Sequence, residues 1–598
     1  VTVTPDIPPY DRRALIAAAL GDAELDLVLK NVTLVNVFTG ETYQADIGIS
    51  QGWVAHVTVP GEEGLTGARV EDRAGLFAIP GLIDTHVHIE SSMVTPAHYA
   101  EAVLPHGTTT VLIDPHELGN VLGLQGVRYM VEASEDITLR VLTMAPSCVP
   151  SALGVETAGA SFDRDEIAEM LTWPRVVGLA EVMDYPGVLR RDGRMMRLIE
   201  ATEEAGGLIQ GHGPGLTGRR LSAYRAAGID SDHENRMADE ALAKLRAGMT
   251  LEVRESSLSL NAAAMAETLR GRGYLPTVTL CSDDVTPEDL LQNGHIDYVA
   301  RRLVEEGLNP IDVVRFATLN AANRLHRHDL GAIAPGRIAD IALLSDLPSF
   351  RVEEVYRAGE LVARAGRAMF HADDRVSASA ENTVHLPPGL SAESFRLRPP
   401  GLAGKPTALV RVISWHPRAG AKTSFLEAEI PVRDGELVPP PELDGETMNT
   451  LAVIDRHAVH GGGSTGLVRG FGLRRGALGS TVSHDSHQLT VMGMSPSDML
   501  AAARRLAEIG GGIVLVLDGQ VLAEIPLPIA GLLAAEPAEV VAGQVAHMRA
   551  TATHVGLPPD NSFMGIVSQT LAVSPFAKLS DLGLIDVNNQ QLVPMVVP

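Results

Sequence analysis

The chain has 598 residues, 45% of them hydrophobic and 4% aromatic, so roughly two to four domains with sizeable cores are expected. A formal charge of −26 at pH 7 argues against nucleic-acid polymers and anionic membrane surfaces as main partners, and leaves a neutral or cationic small molecule open. The two cysteines, Cys148 and Cys281, cannot build a disulfide framework and suit a reducing cytoplasm.

From the N-terminus, acidic residues and prolines stand where a signal peptide needs a basic start and an apolar core. The best apolar run, GGIVLVL, is too short to span a bilayer, so a soluble cytoplasmic protein without membrane contact is expected. Residues 26–58 alternate apolar and polar side chains around turn signals at Thr39-Gly40 and Gln51-Gly52, the pattern of antiparallel sheet. A second β-rich block occupies 331–367, so the two flanks could form one domain interrupted by an insertion.

Between the flanks, eight apolar runs alternate with helical patterns: LFAIPGLID, TTTVLID, RVLTMAP, RVVGLAE, GLIQGH, GIDSDH, MTLEV and PTVTLCSDD. Their spacing of roughly 20–35 residues is the rhythm of a (β/α)₈ barrel, although a doubly wound sheet could also use eight strands. Beyond a Pro/Ser-rich linker at 377–401, short strands mix with one strong helical pattern, PSDMLAAARRLAEIGG, giving a third, α/β domain.

Placed on a barrel, polar residues gather at the C-terminal strand ends, the catalytic face of that fold. His86 and His88 end the first strand, and Asp114, His116 and Glu117 follow the second. Glu181 ends the fourth, His212 the fifth, His233 and Glu234 the sixth, and Asp283 and Asp284 the eighth. Residues i and i+2 of a strand face the same side, so His86 and His88 can reach one ion. His212 and His233 could hold a second, Glu181 could bridge, and Asp283 could ligate while holding the shared water. Imidazole and carboxylate without thiolate suit Zn, Mn or Fe, and two ions sharing a water would generate hydroxide near neutral pH.

Two glycine-rich segments compete with this site. Gly213-x-Gly215-x-x-Gly218 fits a dinucleotide fingerprint in outline, but Pro214 lies inside the supposed phosphate turn. HGGGSTG at 460–466 lacks the Gly-Lys-Ser/Thr ending of a triphosphate loop. VSHDSHQL at 482–489 has the composition of a solvated turn, or of a segment that reaches over the barrel mouth with His484 and His487.

PGLIDTHVHIESSM, GLAEVMDYPGV, GHGPGLTG, DHE at 232–234, PGRIADIALL and TVSHDSHQLTVMG together resemble the amidohydrolase superfamily, and within it the bacterial adenine deaminases. The resemblance implies an α/β architecture. A metal-dependent (β/α)₈ barrel would cover 81–328, a small β-sandwich would be built from 1–80 and 329–385, and a C-terminal adenine-deaminase-type domain would span 386–598. It places two divalent ions, Mn or Fe ahead of Zn, on His86, His88, Glu181, His212, His233 and Asp283, the last preferred to Asp284 as the strand-eight ligand. It further implies hydrolysis of adenine to hypoxanthine and ammonia, with a metal-bridging hydroxide attacking C6. Asp283 would accept its proton and Glu234 would act as proton shuttle. Glu90, His116, Glu117, Asp284, His484 and His487 are candidates for the substrate pocket, with Glu117 and His116 also second choices for the shuttle. Adenine and water are the expected partners, and barrels of this size commonly pair, so a homodimer is expected. The alternatives are an amidohydrolase acting on another amino-heterocycle or cyclic amide, and a barrel that has lost catalysis and serves as a scaffold.

Overall fold

A computed structural model of the chain describes residues 9–257, 259–372, 374, 378–416, 422–559, 561–574 and 576–597. The first eight residues and the start of the 377–401 linker lie outside this set. Eight parallel strands are laid down in chain order: β1 (Leu82–Val87), β2 (Thr108–Ile113), β3 (Arg140–Ala145), β4 (Val176–Val182), β5 (Leu208–Gly211), β6 (Ser231–Asp232), β7 (Thr250–Arg254) and β8 (Val278–Cys281). Every residue of β1, β2, β3 and β4 is buried, as expected for parallel strands covered on both faces.

β1 to β5 form one ladder and β6 to β8 another. Backbone hydrogen bonds join the two at both edges. Asp283 N–H donates to His86 O at 3.0 Å beside β1, and Asp230 N–H donates to Ile209 O at 3.1 Å beside β5. Closure at both edges makes this a barrel and removes the doubly wound alternative. β6 has only two residues, so the sixth run is mostly loop.

The run LFAIPGLID is not one strand. Phe77–Pro80 pairs antiparallel with Ile341–Asp346, while Leu82 onward belongs to β1. Gly81 makes the break: a Cβ there would lie 2.3 Å from Thr109 Oγ1, so only glycine fits so close to β2. Phe77–Pro80 thereby joins a nine-stranded sheet. That sheet holds Leu25–Asn36, Glu41–Ser50, Trp53–Val57 and Gly67–Asp72 from one flank, and Ile341–Asp346 through Arg367–Ala368 from the other. The buried Arg140 at the start of β3 pins this sheet to the barrel through Asp340, Nη1 to Oδ2 at 2.5 Å.

The C-terminal part is a ten-stranded, largely antiparallel sheet with helices Pro496–Glu508 and Ala538–Ala552. Pro at the start of the first helix and the Ser495 side chain on Asp498 N–H set its N-terminus. Ile529, Leu533, Val541, Val545 and Met548 pack in one continuous core with Ile89, Tyr99 and Leu118 of the barrel. The C-terminal part is therefore fixed against the catalytic end of the barrel, and Ala534 N–H donates to Met93 O at 2.8 Å just beyond β1. Among the described residues, no helix is long and apolar enough to cross a membrane.

Candidate active site

His86 and His88 are oriented from behind by hydrogen bonds that leave one nitrogen of each facing the barrel axis. The Gln210 amide is fixed by Nε2 donating to Thr85 O at 2.7 Å, so its Oε1 accepts from His86 Nδ1 at 3.2 Å. His88 Nδ1 donates to Asp114 O at 3.0 Å. Such partners hold the tautomer in which Nε2 carries the lone pair, the arrangement of metal-ligating histidines. His86 Nε2 is buried without a hydrogen-bond partner. His88 Nε2 lies 3.4 Å from Glu181 Oε1 and 3.5 Å from Asp283 Oδ1.

Glu181 also reaches His212 Nδ1 at 2.5 Å and His233 Nε2 at 3.2 Å through Oε2. The His86 and His233 rings stack with centroids 4.1 Å apart. Lone pairs of imidazole and carboxylate thus face one another in a largely buried space, an arrangement that favours cations or protons between them. The sets His86–Glu181–His233, His86–His88–Asp283 and His88–Asp114–His116–Glu181 each bring donor atoms within 4.8 Å of one another. Nitrogen and oxygen donors of this kind fit divalent Mn, Fe or Zn.

A ring of charges surrounds that centre. Arg254, at the end of β7, forms short ion pairs through Nη1 with both Glu234 and Asp283, and its Nη2 lies 3.4 Å from Asp284 Oδ2. Burial pushes Glu234 up, but Arg254, His212 and Arg236 overcome it and hold the carboxyl at about 2. Burial raises Asp283 to about 6 against the pull of Arg254. Asp284 falls below the ordinary carboxylate range: burial is outweighed by His88, His484 and Arg254, and Ser91 Oγ donates to it at 2.7 Å. Asp283 holds its place with φ of 58°, a left-handed conformation rare outside glycine and typical of functional sites.

Glu90 and Glu117 are buried together beside the mouth of the barrel. Burial pushes Glu90 up to about 7, and burial together with Glu90 raises Glu117 well above the carboxylate range. The C-terminal part closes this corner. His484 Nδ1 lies 3.7 Å from Glu117 Oε1, His487 Nε2 3.6 Å from Glu117 Oε2, and Asp485 Oδ1 3.7 Å from His116 Nε2. The segment around His484 and His487 is thus buried against the barrel mouth and is not a solvated turn. His116 Nδ1 sits on Asp114 Oδ2 at 3.0 Å. Despite its burial, Asp114 raises it well above the ordinary histidine value.

All the site residues expected from the sequence meet at this one end of the barrel. Arg254, Gln210, Ser91 and Asp485 are additional members. Arg254 was findable, because it follows the MTLEV run in the same position that supplies polar residues on the other strands. The two glycine-rich segments do not offer free amides to a phosphate. Gly213 N–H and Gly215 N–H donate to Asp232 and Glu240 at 2.9 and 2.6 Å, and His460 N–H and Gly461 N–H donate to Asp455 at 2.6 and 2.8 Å.

A closed parallel barrel with imidazoles and carboxylates converging at its strand ends defines the metal-dependent hydrolases of the amidohydrolase class. Residues 77–362 match the amidohydrolase family, and residues 421–591 match the adenine deaminase C-terminal domain. The chain is 45% identical to adenine deaminase 2 of Rhizobium meliloti (strain 1021) over 97% of its length and 96% of that protein. It is 42% identical to adenine deaminase of Serratia proteamaculans, covering 98% of this chain and 97% of that one, and 41% identical to adenine deaminase of Moorella thermoacetica, covering 98% of each. The chain belongs to the amidohydrolase family, in its adenine deaminase branch.

Proposed function

We propose that the chain hydrolyses adenine to hypoxanthine and ammonia at this site, holding two divalent ions with Mn or Fe ahead of Zn. The observation that carries the proposal is the similarity to adenine deaminases over nearly the whole chain, including the C-terminal part that walls the pocket. His86, His88, Glu181, His212, His233 and Asp283 would hold the ions, which when bound supply Lewis acidity and bring the pKa of water towards neutrality.

The chain's own groups divide the proton work. Asp283, raised towards neutrality, accepts the proton released as water adds to C6 of the purine. Glu117, raised by burial and by the neighbouring Glu90, stays protonated and donates to the ring nitrogen next to C6, which makes that carbon more electrophilic. The Asp283 proton then passes to the departing amine, ammonia leaves, and the proton of the remaining C6 hydroxyl returns to Glu117 as the C6 carbonyl forms. Glu234 is held ionised by Arg254 and Arg236 and has no proton to give. We therefore assign the shuttle to Glu117 in its place. Glu234 anchors Arg254 against Asp283 and Asp284. His116 Nε2, buried 3.7 Å from Asp485 Oδ1 and beyond hydrogen-bond length of it, is placed to offer an N–H to a purine nitrogen. The ionised Asp284 beside Ser91 is placed to accept from a substrate N–H. A cytoplasmic setting goes with this function, supported by two buried cysteines that form no disulfide.

Ammonia release from adenine, set against other amino-heterocycles and a panel of cyclic amides, tests the proposal. Adenine should be turned over with the highest kcat/KM. Preference for a cyclic amide would overturn it.

A further inference from the structure

The turn Ser483–Gln488 leaves the C-terminal sheet and ends against the barrel's catalytic carboxyl, and two buried side chains hold it there. Gln488 is fully buried and its amide clamps both parts of the molecule. Its Oε1 accepts from Arg456 N–H at 2.9 Å, and its Nε2 donates to Thr157 O at 3.0 Å and Thr157 Oγ1 at 3.1 Å. Thr157 lies on the loop after β3 and is itself tied to Asp581 through its backbone N–H at 3.1 Å and its hydroxyl.

Arg456, also fully buried, spends its guanidinium on carbonyl and hydroxyl oxygens. It donates to His487 O over a short bond, to Ala530 O at 3.1 Å and to Thr383 Oγ1 at 3.4 Å. Within the turn, Ser483 N–H donates to His487 Nδ1 at 3.2 Å. Burial, with His484 and Arg456 nearby, holds His487 well below the ordinary histidine value, so the ring is neutral and its proton sits on Nε2. That N–H faces Glu117 Oε2 at 3.6 Å, a few tenths of an ångström beyond hydrogen-bond length. His487 is left-handed, with φ of 50°, so the turn is held in a conformation it would not choose alone.

We infer that the turn 483–488 is a built part of the active site, and that Gln488 and Arg456 are positioning residues that fix the His487 Nε2–H donor on Glu117. The inference rests on the adenine-deaminating activity proposed above. It makes the C-terminal part a working half of the site. The barrel supplies the carboxyl that moves the proton, and the C-terminal part supplies the donor that orients it.

The test is a double-mutant cycle on the full-length, metal-loaded enzyme, using Gln488→Met and Glu117→Gln. Gln488→Met keeps the side-chain length and removes the clamp. It should lower kcat for adenine about ten-fold, with KM changed less than about three-fold and metal content unchanged. Made on the Glu117→Gln background, the same change should cost less than about two-fold, because the group it positions is already gone. Gln488→Glu, which keeps the acceptor for Arg456 N–H but replaces the donor to Thr157, should not restore kcat. If Gln488→Met does not fold, Thr157→Val, which removes the hydroxyl acceptor together with its bond to Asp581, is put through the same cycle and should show the same non-additivity with a smaller loss. Unchanged kcat in the folded variant, or a loss that adds fully to that of Glu117→Gln, would overturn the inference. No adenine turnover by the wild-type enzyme would instead overturn the activity on which it rests.

Discussion

Replacing Glu117 by Gln separates the two candidate proton carriers most sharply. The carboxyl is 1% exposed, is approached by Ser91 Oγ at 3.4 Å, and faces His484 and His487 at 3.7 and 3.6 Å. Gln has the same shape and leaves no cavity, so the fold should hold. It could even gain, since the Glu90–Glu117 pair no longer risks burying a second negative charge. The chemistry should not hold. A positioned general acid contributes about 10²–10⁴-fold, so kcat for adenine should fall by that factor, which is about 3–5 kcal/mol of barrier. Steady-state kinetics with coupled ammonia detection reads the loss, elemental analysis shows the metal content unchanged, and a thermal melt shows the fold intact. Glu234→Gln is the control. It loosens Arg254, but should cost no more than about ten-fold, because Arg254 and its neighbours hold Glu234 at about 2, too low for a proton donor near neutral pH. A Glu117→Gln enzyme within ten-fold of wild type, or a Glu234→Gln enzyme that loses more than Glu117→Gln, would refute the assignment.

Three further outcomes follow from the same structure. His86→Ala should lower bound metal per chain by inductively coupled plasma analysis and abolish turnover, because it removes Nε2 of the ring that Gln210 holds through Nδ1. Arg254→Met leaves Glu234, Asp283 and Asp284 without their shared cation. The metal-free protein should lose about 3–5 kcal/mol of stability, and added Mn should raise its melting temperature more than it raises that of wild type. Lys578 donates only to Ser568 O at 2.7 Å among its described hydrogen bonds, and burial lowers its pKa from 10.5 to about 7. Between those values the unfolded chain binds a proton that the folded chain lacks, so stability should rise with pH across that window. Denaturant melts of Lys578→Met should lack that rise.

The barrel was legible because its strands are short and almost entirely buried runs, and such runs stand out from amphipathic helices without any knowledge of pairing. Closure was not legible, since it depends on hydrogen bonds between Asp283 and His86 and between Asp230 and Ile209, residues far apart in sequence. Nor was the division of LFAIPGLID at Gly81, which follows from the approach of Thr109 on the next strand. At the site, residue types at strand ends were enough to single out the histidines and carboxylates. What they do depends on neighbours that no local pattern displays. Glu234 and Glu117 are the same residue type in similar positions. Arg254 outweighs burial and lowers the pKa of one, while burial and the neighbouring Glu90 raise that of the other. For His484 and His487 the sequence left open a solvated turn or a segment over the barrel mouth, because the residues that bury them, Glu117, Arg456 and Thr570 among them, are distant in sequence.

The most direct measurement is the reaction itself, followed in H₂¹⁸O. Metal-loaded enzyme incubated with adenine should yield hypoxanthine carrying one ¹⁸O at C6, with one ammonia released for each, as hydrolytic deamination requires. Adenine recovered unchanged from enzyme with a full complement of metal, or ammonia released without hypoxanthine, would contradict the account.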